Sequence, residues 1–555
     1  MATSLTPGAT LARPPSGVPG RSRTPSPHSP ARRPERAGGL RGSQPPRPPA
    51  TGPGEPGARR RSASLWRAAG GDESGRPLLP GGARGPGDAP APVDWAATGR
   101  CFLFPALAGA LFGYDIGASG GALQSLTSPE LSGTDWYALS SSARGLVVSL
   151  SLLGALAGSG AALAWGDRLG RRGELMLAAA LYAAGAAGAA LAPGATALMA
   201  ARGLYGLGIG LAMHAAPAYI AETAPAAARG RLISTKEGFI VGGILLGYVG
   251  GLANEAAVGG WRLSLGAAAP LALAVLAGVA SLPESPRWLA LAGRPRGETA
   301  LALRRARGSA LDAAAEEREV AEIEAAARGA ARAAAGGAAG DAPPGPLGLL
   351  AQPRFRRPLA VGLGLMLFQQ VTGQPSVLYY ANQVLADAGV EGAAGAAVLV
   401  GAFKLLATGA AVGLVEGAGR RPLLLAGVSA MAASLAVLSG AQSGTLPGLG
   451  PPAAVGALLV YVGAYQVSFG PISWLMCGEV FPLAVRSQAI ALATMVNFGA
   501  NFLVSLALPA VQEELGLGGT FALFAGLSVA ALAFVAAAVP ETKGRTLEEI
   551  ERMWG

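Results

Sequence analysis

Twelve apolar stretches recur along this chain, each at or near the roughly 20 residues that a helix needs to cross a bilayer. They are too many and too long for one soluble core. Charge is correspondingly scarce: 14% of residues are charged and 51% hydrophobic, where soluble domains carry about 25% charged residues. Hydropathy places the stretches at 98–124, 142–165, 174–192, 196–221, 231–252 and 262–282, then at 357–386, 394–415, 422–440, 452–478, 487–510 and 518–539. The expected fold class is an all-α membrane protein with twelve transmembrane helices in two pseudo-symmetric six-helix bundles.

The two sets of six repeat each other. Gly170-Arg171-Arg172 after the second stretch matches Gly419-Arg420-Arg421 after the eighth. Glu222 and Arg229 flank the junction of the fourth and fifth, and Glu479 and Arg486 flank that of the tenth and eleventh. Pro283-Glu284-Ser285 ends the sixth, and Pro540-Glu541-Thr542 ends the twelfth. The last three correspondences share one offset, 257 residues. A parallel six-helix repeat is the arrangement of major facilitator transporters, whose substrate sits near the midplane between the halves.

The Arg-bearing loops all belong on the non-translocated face, which puts both termini there too. Arg171, Glu222, Arg229, Arg420, Glu479 and Arg486 read as ion-pair latches holding helix ends together in one conformational state. The plainer reading is that they only signal topology, but acids contribute little to topology. The resulting segments are a leader at 1–97, a six-helix bundle at 98–282, a helical intracellular linker at 283–356, a second bundle at 357–539 and a tail at 540–555. Glu316, Glu317, Glu319, Glu322 and Glu324 mark a solvated helix in the linker, ended by the proline cluster at 342–346.

Net charge is +10, but twelve arginines against Glu35 and Glu55 sit within residues 1–70. The remainder is closer to balance, which argues against nucleic-acid binding. An Arg- and Ser-rich, acid-poor leader suits a plastid transit peptide; a disordered cytosolic tail is the alternative. Cys101 and Cys477 lie in or beside apolar stretches, so neither a disulfide framework nor a zinc site is expected.

Several motifs together carry a family resemblance: the two Gly-Arg-Arg corners, Pro-Glu-Ser-Pro-Arg-Trp at 283–288, Gln-Gln-Val-Thr-Gly-Gln-Pro-Ser at 369–376 and Pro-Glu-Thr-Lys-Gly at 540–544. Residues 98–555 resemble the sugar porters of the major facilitator superfamily. Phe-Gly-Tyr-Asp-Ile-Gly-Ala at 112–118, Gly-Ile-Gly-Leu-Ala-Met-His at 208–214 and the run 465–476 resemble a plant and algal branch. That branch holds plastidic D-xylose–proton symporter-like proteins and vacuolar glucose transporters.

A sugar presents hydroxyls on an apolar ring, so its site needs amides and an aromatic plane. Gln369 and Gln370 lie mid-stretch, where a buried amide requires a partner. The resemblance implies that this partner is sugar; interhelical bonding is the alternative. Gly373 and Pro375 should break the seventh helix, as is tolerated where backbone lines a cavity. Many relatives have Asn where this chain has Pro375, and Gln374 is placed to compensate. Tyr379 and Tyr380 follow, positioned to close over the site. Trp474 matches the family's stacking tryptophan, and Asn497 a polar sugar contact, with Asn501 a turn further on. Glu237 stands where many relatives have a sugar-binding Gln.

An ionisable side chain inside a span is a functional hypothesis by default. Asp115 with Arg202 matches the acid and arginine of proton-coupled members; a static buried ion pair is the alternative. Lys404 is expected to pair with Glu237 across the halves. His214 reads as a packing residue before a proton relay. The resemblance therefore implies sugar transport by alternating access, as a hexose or pentose–proton symporter. A facilitative glucose uniporter and a non-transporting sugar sensor are the alternatives. Nothing in the sequence resembles a catalytic set, so no enzyme, metal or cofactor is expected. Expected partners are a monosaccharide, a proton and the lipid bilayer, with the chain monomeric in a plastid envelope, or else a vacuolar or plasma membrane.

Overall fold

The computed structural model describes residues 93–336, 352–446, 448, 451–482, 485–545 and 547–554. The leader up to residue 92 and the proline cluster at 342–346 lie outside the described residues. Ten described helices are long and apolar enough to cross a membrane. Two backbone features reconcile ten helices with twelve stretches. The run Arg486–Ala538 bends at Gly516 (φ 67°) and so makes the eleventh and twelfth crossings. The seventh crossing is cut into Arg356–Val371, Gln374–Tyr379 and Ala381–Asp387, none of which spans alone.

The first six crossings are Trp95–Thr127, Ser141–Gly166, Arg168–Ala190, Ala195–Thr223, Arg231–Ala253 and Gly260–Ser281. The eighth to tenth are Ala393–Val415, Arg420–Gln442 and Pro451–Val480. Asp94 caps the first, its carboxylate accepting from the Ala96 and Ala97 amides at 3.0 Å.

Glycine sets how closely these helices pack, because lipid offers no hydrophobic drive and backbone approach must supply the attraction. A Cβ on Gly113 would lie 1.8 Å from the Ile240 carbonyl oxygen, and one on Gly243 2.1 Å from that of Ala110. Helices 1 and 5 are thereby locked together. Helices 2 and 4 meet in the same way, with Gly206 against Ser151 and Gly210 against Ala155. The second pairing sets Ser151 beside Arg202, and Asp115 reaches both from helix 1.

The repeated corners have one construction. Gly170 (φ 77°) and Gly419 (φ 93°) turn the chain between helices 2 and 3 and between 8 and 9, in the left-handed region that favours glycine. The Glu284 carboxylate then accepts from the Arg172 amide (3.0 Å), and Glu541 from the Arg420 and Arg421 amides (3.1 and 3.0 Å). Each Pro-Glu motif thus caps the helix after its Gly-Arg-Arg corner.

In the linker, helices Arg296–Arg307 and Ala313–Gly336 face each other. The expected solvated helix is present, and one of its faces is engaged. Glu316, Glu317, Glu319 and Glu324 pair with Arg304, Arg296, Arg307 and Arg296 respectively, over a small core of Leu303, Val320 and Ile323. Arg307 also donates to the Thr223 carbonyl at the end of helix 4.

The halves meet away from the Arg-bearing face. Tyr248 donates to the Leu378 carbonyl (2.8 Å) and Ser141 to Glu513. A Cβ on Gly145 would lie 2.3 Å from the Leu506 carbonyl oxygen, and one on Gly120 2.9 Å from that of Tyr379. All these residues lie toward the opposite ends of their helices, so the structure is closed on that side.

Candidate substrate and proton sites

Helix 7 stops at Val371 because Gly373 takes φ 90°, and it restarts with Pro375 in the first turn of the next segment. This break presents Gln369 and Gln370 at a helix end and Gln374 at a helix start. Gln369 donates to the Phe469 carbonyl (2.8 Å) and that of Gly470 (3.3 Å) on helix 10. Its oxygen accepts from Asn497 on helix 11 (2.6 Å) and from Gln370 (3.3 Å). Gln369, Gln370 and Asn497 are therefore one buried network joining helices 7, 10 and 11.

The network is incomplete. Gln370 Oε1, Gln374 Nε2, the Tyr379 hydroxyl and Asn382 Oδ1 are buried without a hydrogen-bond partner. Such groups cost roughly 1–3 kcal/mol each when left unsatisfied, and all four lie on the broken seventh helix. They are the kind of donors and acceptors that a polyhydroxylated ligand satisfies. Asn382 is the member that sequence reasoning missed; an amide past the break was the available signal.

The remaining expected residues are placed differently. Trp474 is 41% exposed and Glu237 54%, so neither belongs to the buried network. Asn501 accepts from Ser505 (3.2 Å), and Tyr380 donates to the Ser505 carbonyl (3.1 Å). Tyr379 is fully buried, within electrostatic reach of Asp115 and Arg202.

Asp115 and Arg202, each 3% exposed, form an ion pair between helices 1 and 4. Ser151 donates to Asp115 at 2.9 Å. The guanidinium also donates to the Val147 carbonyl (2.9 Å), Ser119 (2.9 Å), Ser151 (3.2 Å) and the Val148 carbonyl (3.3 Å). A small cavity lined by Tyr114, Asp115, Ala186, Arg202, Tyr205 and Leu265 adjoins the pair. Ser119 and Ser151 were not legible in the sequence, because hydroxyls are common at helix interfaces in membranes.

The expected pairing of Lys404 with Glu237 is corrected. Lys404 donates to Gln466 on helix 10 (2.6 Å), and Glu237 pairs with its neighbour Lys236 (3.0 Å). His214 Nδ1 lies 2.9 Å from the wholly buried Glu174 of helix 3.

On the Arg-bearing face, Arg171 pairs with Glu222 (3.4 Å) and Arg420 with Glu479 (2.9 Å). Arg229 and Arg486 do not join these pairs. The second side of Glu222 is taken by the Ser285 hydroxyl, and that of Glu479 by Thr542 (2.6 Å). Arg486 instead donates to the Phe481 carbonyl (3.1 Å), and Arg229 lies among Arg287, Arg307 and Glu319. The two halves differ in their capping acids. Burial pushes the Glu284 carboxyl up despite its backbone donors. Burial acts on Glu541 too, but the amides of Lys543, Arg420, Arg421 and Thr542 hold its carboxyl below the usual range.

Known proteins share these features. Residues 101–554 match the family described as "Sugar (and other) transporter". The chain is 49% identical over 475 residues to D-xylose-proton symporter-like 3, chloroplastic, of Arabidopsis thaliana, covering 84% of each chain. It is 35% identical to the galactose-proton symporter of Escherichia coli, covering 81% of this chain and 93% of that one. Among solved structures it is similar to the inward-open xylose transporter XylE from E. coli, with TM-score 0.68 and 30% identity. That alignment covers 82% of this chain and 99% of the other. XylE bound to 6-bromo-6-deoxy-D-glucose matches with TM-score 0.63 at 29% identity, over 83% and 99%. On this match across most of its length, and on the twelve-crossing fold it shares with them, the chain belongs to the sugar transporter family of the major facilitator superfamily.

Proposed function

We propose that the protein carries a monosaccharide across a membrane together with a proton, by alternating access. The observation that carries the reading is the buried Asp115–Arg202 pair with Ser151 beside it. An acid and an arginine buried together inside a span are a functional hypothesis by default, as in proton relays. Protonation neutralises the carboxylate, weakens the pair and frees helices 1 and 4 to shift. Tyr379, within electrostatic reach of the pair, sits on the same broken helix as the unsatisfied amides. The proton site on helix 1 and the sugar site on helix 7 thereby adjoin, where Gly120 packs on the Tyr379 carbonyl.

The sugar is received at Gln370, Gln374 and Asn382, held by the Gln369–Asn497 framework. Trp474 supplies a stacking plane from helix 10. The intra-half pairs Arg171–Glu222 and Arg420–Glu479 act as latches whose making and breaking accompany the rocking of the halves. The relatives named for D-xylose and galactose symport support a pentose or hexose substrate. The Arg-rich leader and the chloroplastic relative support a plastid envelope.

Proteoliposomes given a sugar gradient alone test the coupling. Sugar entry should move protons inward and raise external pH. Sugar uptake without proton movement and without pH dependence overturns symport in favour of uniport. A fluorescent fusion with and without residues 1–95 tests the location; unchanged targeting after deletion overturns the transit peptide.

A further inference from the structure

Lys404 lies midway along helix 8, 5% exposed. Its ammonium donates to Gln466 (2.6 Å) and stands over the Tyr465 ring at 5.3 Å. Both partners are neutral. The acid within its electrostatic reach, Glu237, is paired with Lys236, itself 4% exposed. Among the described residues, Lys236, Glu237 and Lys404 thus set two amines against one carboxylate where helix 5 of one half packs on helix 8 of the other. Gly401, a turn before Lys404, marks that packing: its Cβ would lie 2.9 Å from the Tyr248 ring. A buried charge is costly unless something pairs with it, and an ionisable side chain inside a span is a functional hypothesis by default.

The charge also borders the amide network. Gln466 Nε2 lies 3.4 Å from the Cβ position of Gly470, and the Gly470 carbonyl accepts from Gln369. Gln466, which holds Lys404, and Gly470, whose carbonyl accepts from Gln369, are thus four residues apart on helix 10.

We propose that Lys404 selects sugars bearing a single carboxylate, so that the substrate class of this carrier includes uronic or aldonic acids. The inference rests on the sugar-carrier reading and deepens it. A monoanion neutralises the cluster; a dianionic sugar phosphate leaves an excess negative charge in the same dry site. A lysine suits this task, since it acts as a compact point charge.

Two probes of similar size separate charge from shape: D-glucuronate and its neutral amide, D-glucuronamide. The full chain in proteoliposomes is assayed for labelled D-glucose uptake with each as competitor, and binding is measured directly by calorimetry in detergent. Glucuronate should compete at about tenfold lower concentration than the amide, the low end for a hydrogen bond to a charged group. The acid-to-amide ratio should collapse to near one in Lys404→Met and survive in Lys404→Arg. Equal potency of acid and amide in the unaltered protein overturns the proposal without recourse to any variant. So does an undiminished ratio in Lys404→Met, or a glucose 6-phosphate affinity above that of glucuronate. Absence of glucose uptake overturns the carrier reading instead, while the calorimetric ratio still decides the role of Lys404.

Discussion

Asp115→Asn is the substitution that most directly tests the coupling. Asparagine keeps the shape and one acceptor oxygen but removes the charge facing Arg202. Breaking a buried pair from one side costs about 3–5 kcal/mol. Arg202 retains the carbonyls of Val147 and Val148 and the hydroxyls of Ser119 and Ser151, so the low end, about 3 kcal/mol, is expected. The functional magnitude follows from the driving force. One charge moved through 100 mV is worth about 2.3 kcal/mol, which at about 1.4 kcal/mol per decade sustains roughly 40-fold accumulation in one-to-one symport. In proteoliposomes at that potential, the unaltered protein should approach this ratio. Asp115→Asn should reach no more than equal concentrations, yet still exchange labelled for unlabelled sugar. Accumulation persisting in the variant would refute the role given to Asp115. Equal loss of exchange and accumulation would refute it too, because a purely structural pair abolishes both.

Three further outcomes are expected. Gly145→Val, whose Cβ meets the Leu506 carbonyl at 2.3 Å, should stop the outer side from closing, so that exchange falls at least about tenfold through loss of one state; a cysteine placed on that face should become more reactive to an impermeant thiol reagent. Gly113→Ala places its Cβ 1.8 Å from the Ile240 carbonyl on rigid backbone, and should destabilise by about 3 kcal/mol or more as overpacking, read as loss of monodisperse protein in detergent. The capping acids should separate in a pH series. The lowered Glu541 carboxyl contributes stability above its unfolded value and loses it as pH falls through its folded one. Glu541→Gln should therefore destabilise more at pH 7 than at pH 4, by no more than about 1 kcal/mol after solvent screening. Glu284, raised by burial, should show the opposite trend on Glu284→Gln, in thermal-shift measurements.

Much of this architecture was legible because it depends on local quantities. Apolar length gives a crossing, loop arginine gives its side, and a Gly-x-Pro sequence breaks a helix wherever it falls. The break at Gly373 and the corners at Gly170 and Gly419 follow from those rules. The Asp115–Arg202 pair was readable as well, since an isolated buried acid and base require each other. Less legible were contacts with several chemically equivalent solutions. Glu222 was expected beside Arg171 and Arg229, yet the Ser285 hydroxyl holds its second oxygen. Lys404 was expected to pair with Glu237 on helix 5, and the Gln466 amide on helix 10 holds it instead.

The sequence by itself determined how many times the chain crosses the membrane, which face carries the arginines and that Asp115 and Arg202 meet inside the spans. The tertiary structure alone decided the partner of each buried charge, the incomplete bonding of Gln370, Gln374 and Asn382, and the closure of the face opposite the arginines. The reason is geometric. Hydropathy and repeat offsets survive any rotation of a helix about its axis, whereas a side chain's partner changes with a rotation of one residue, about 100°. That rotation is set by how deeply Gly113, Gly206 and Gly145 let neighbouring backbones approach. Closure adds a further choice, since one sequence must support two conformations of nearly equal free energy.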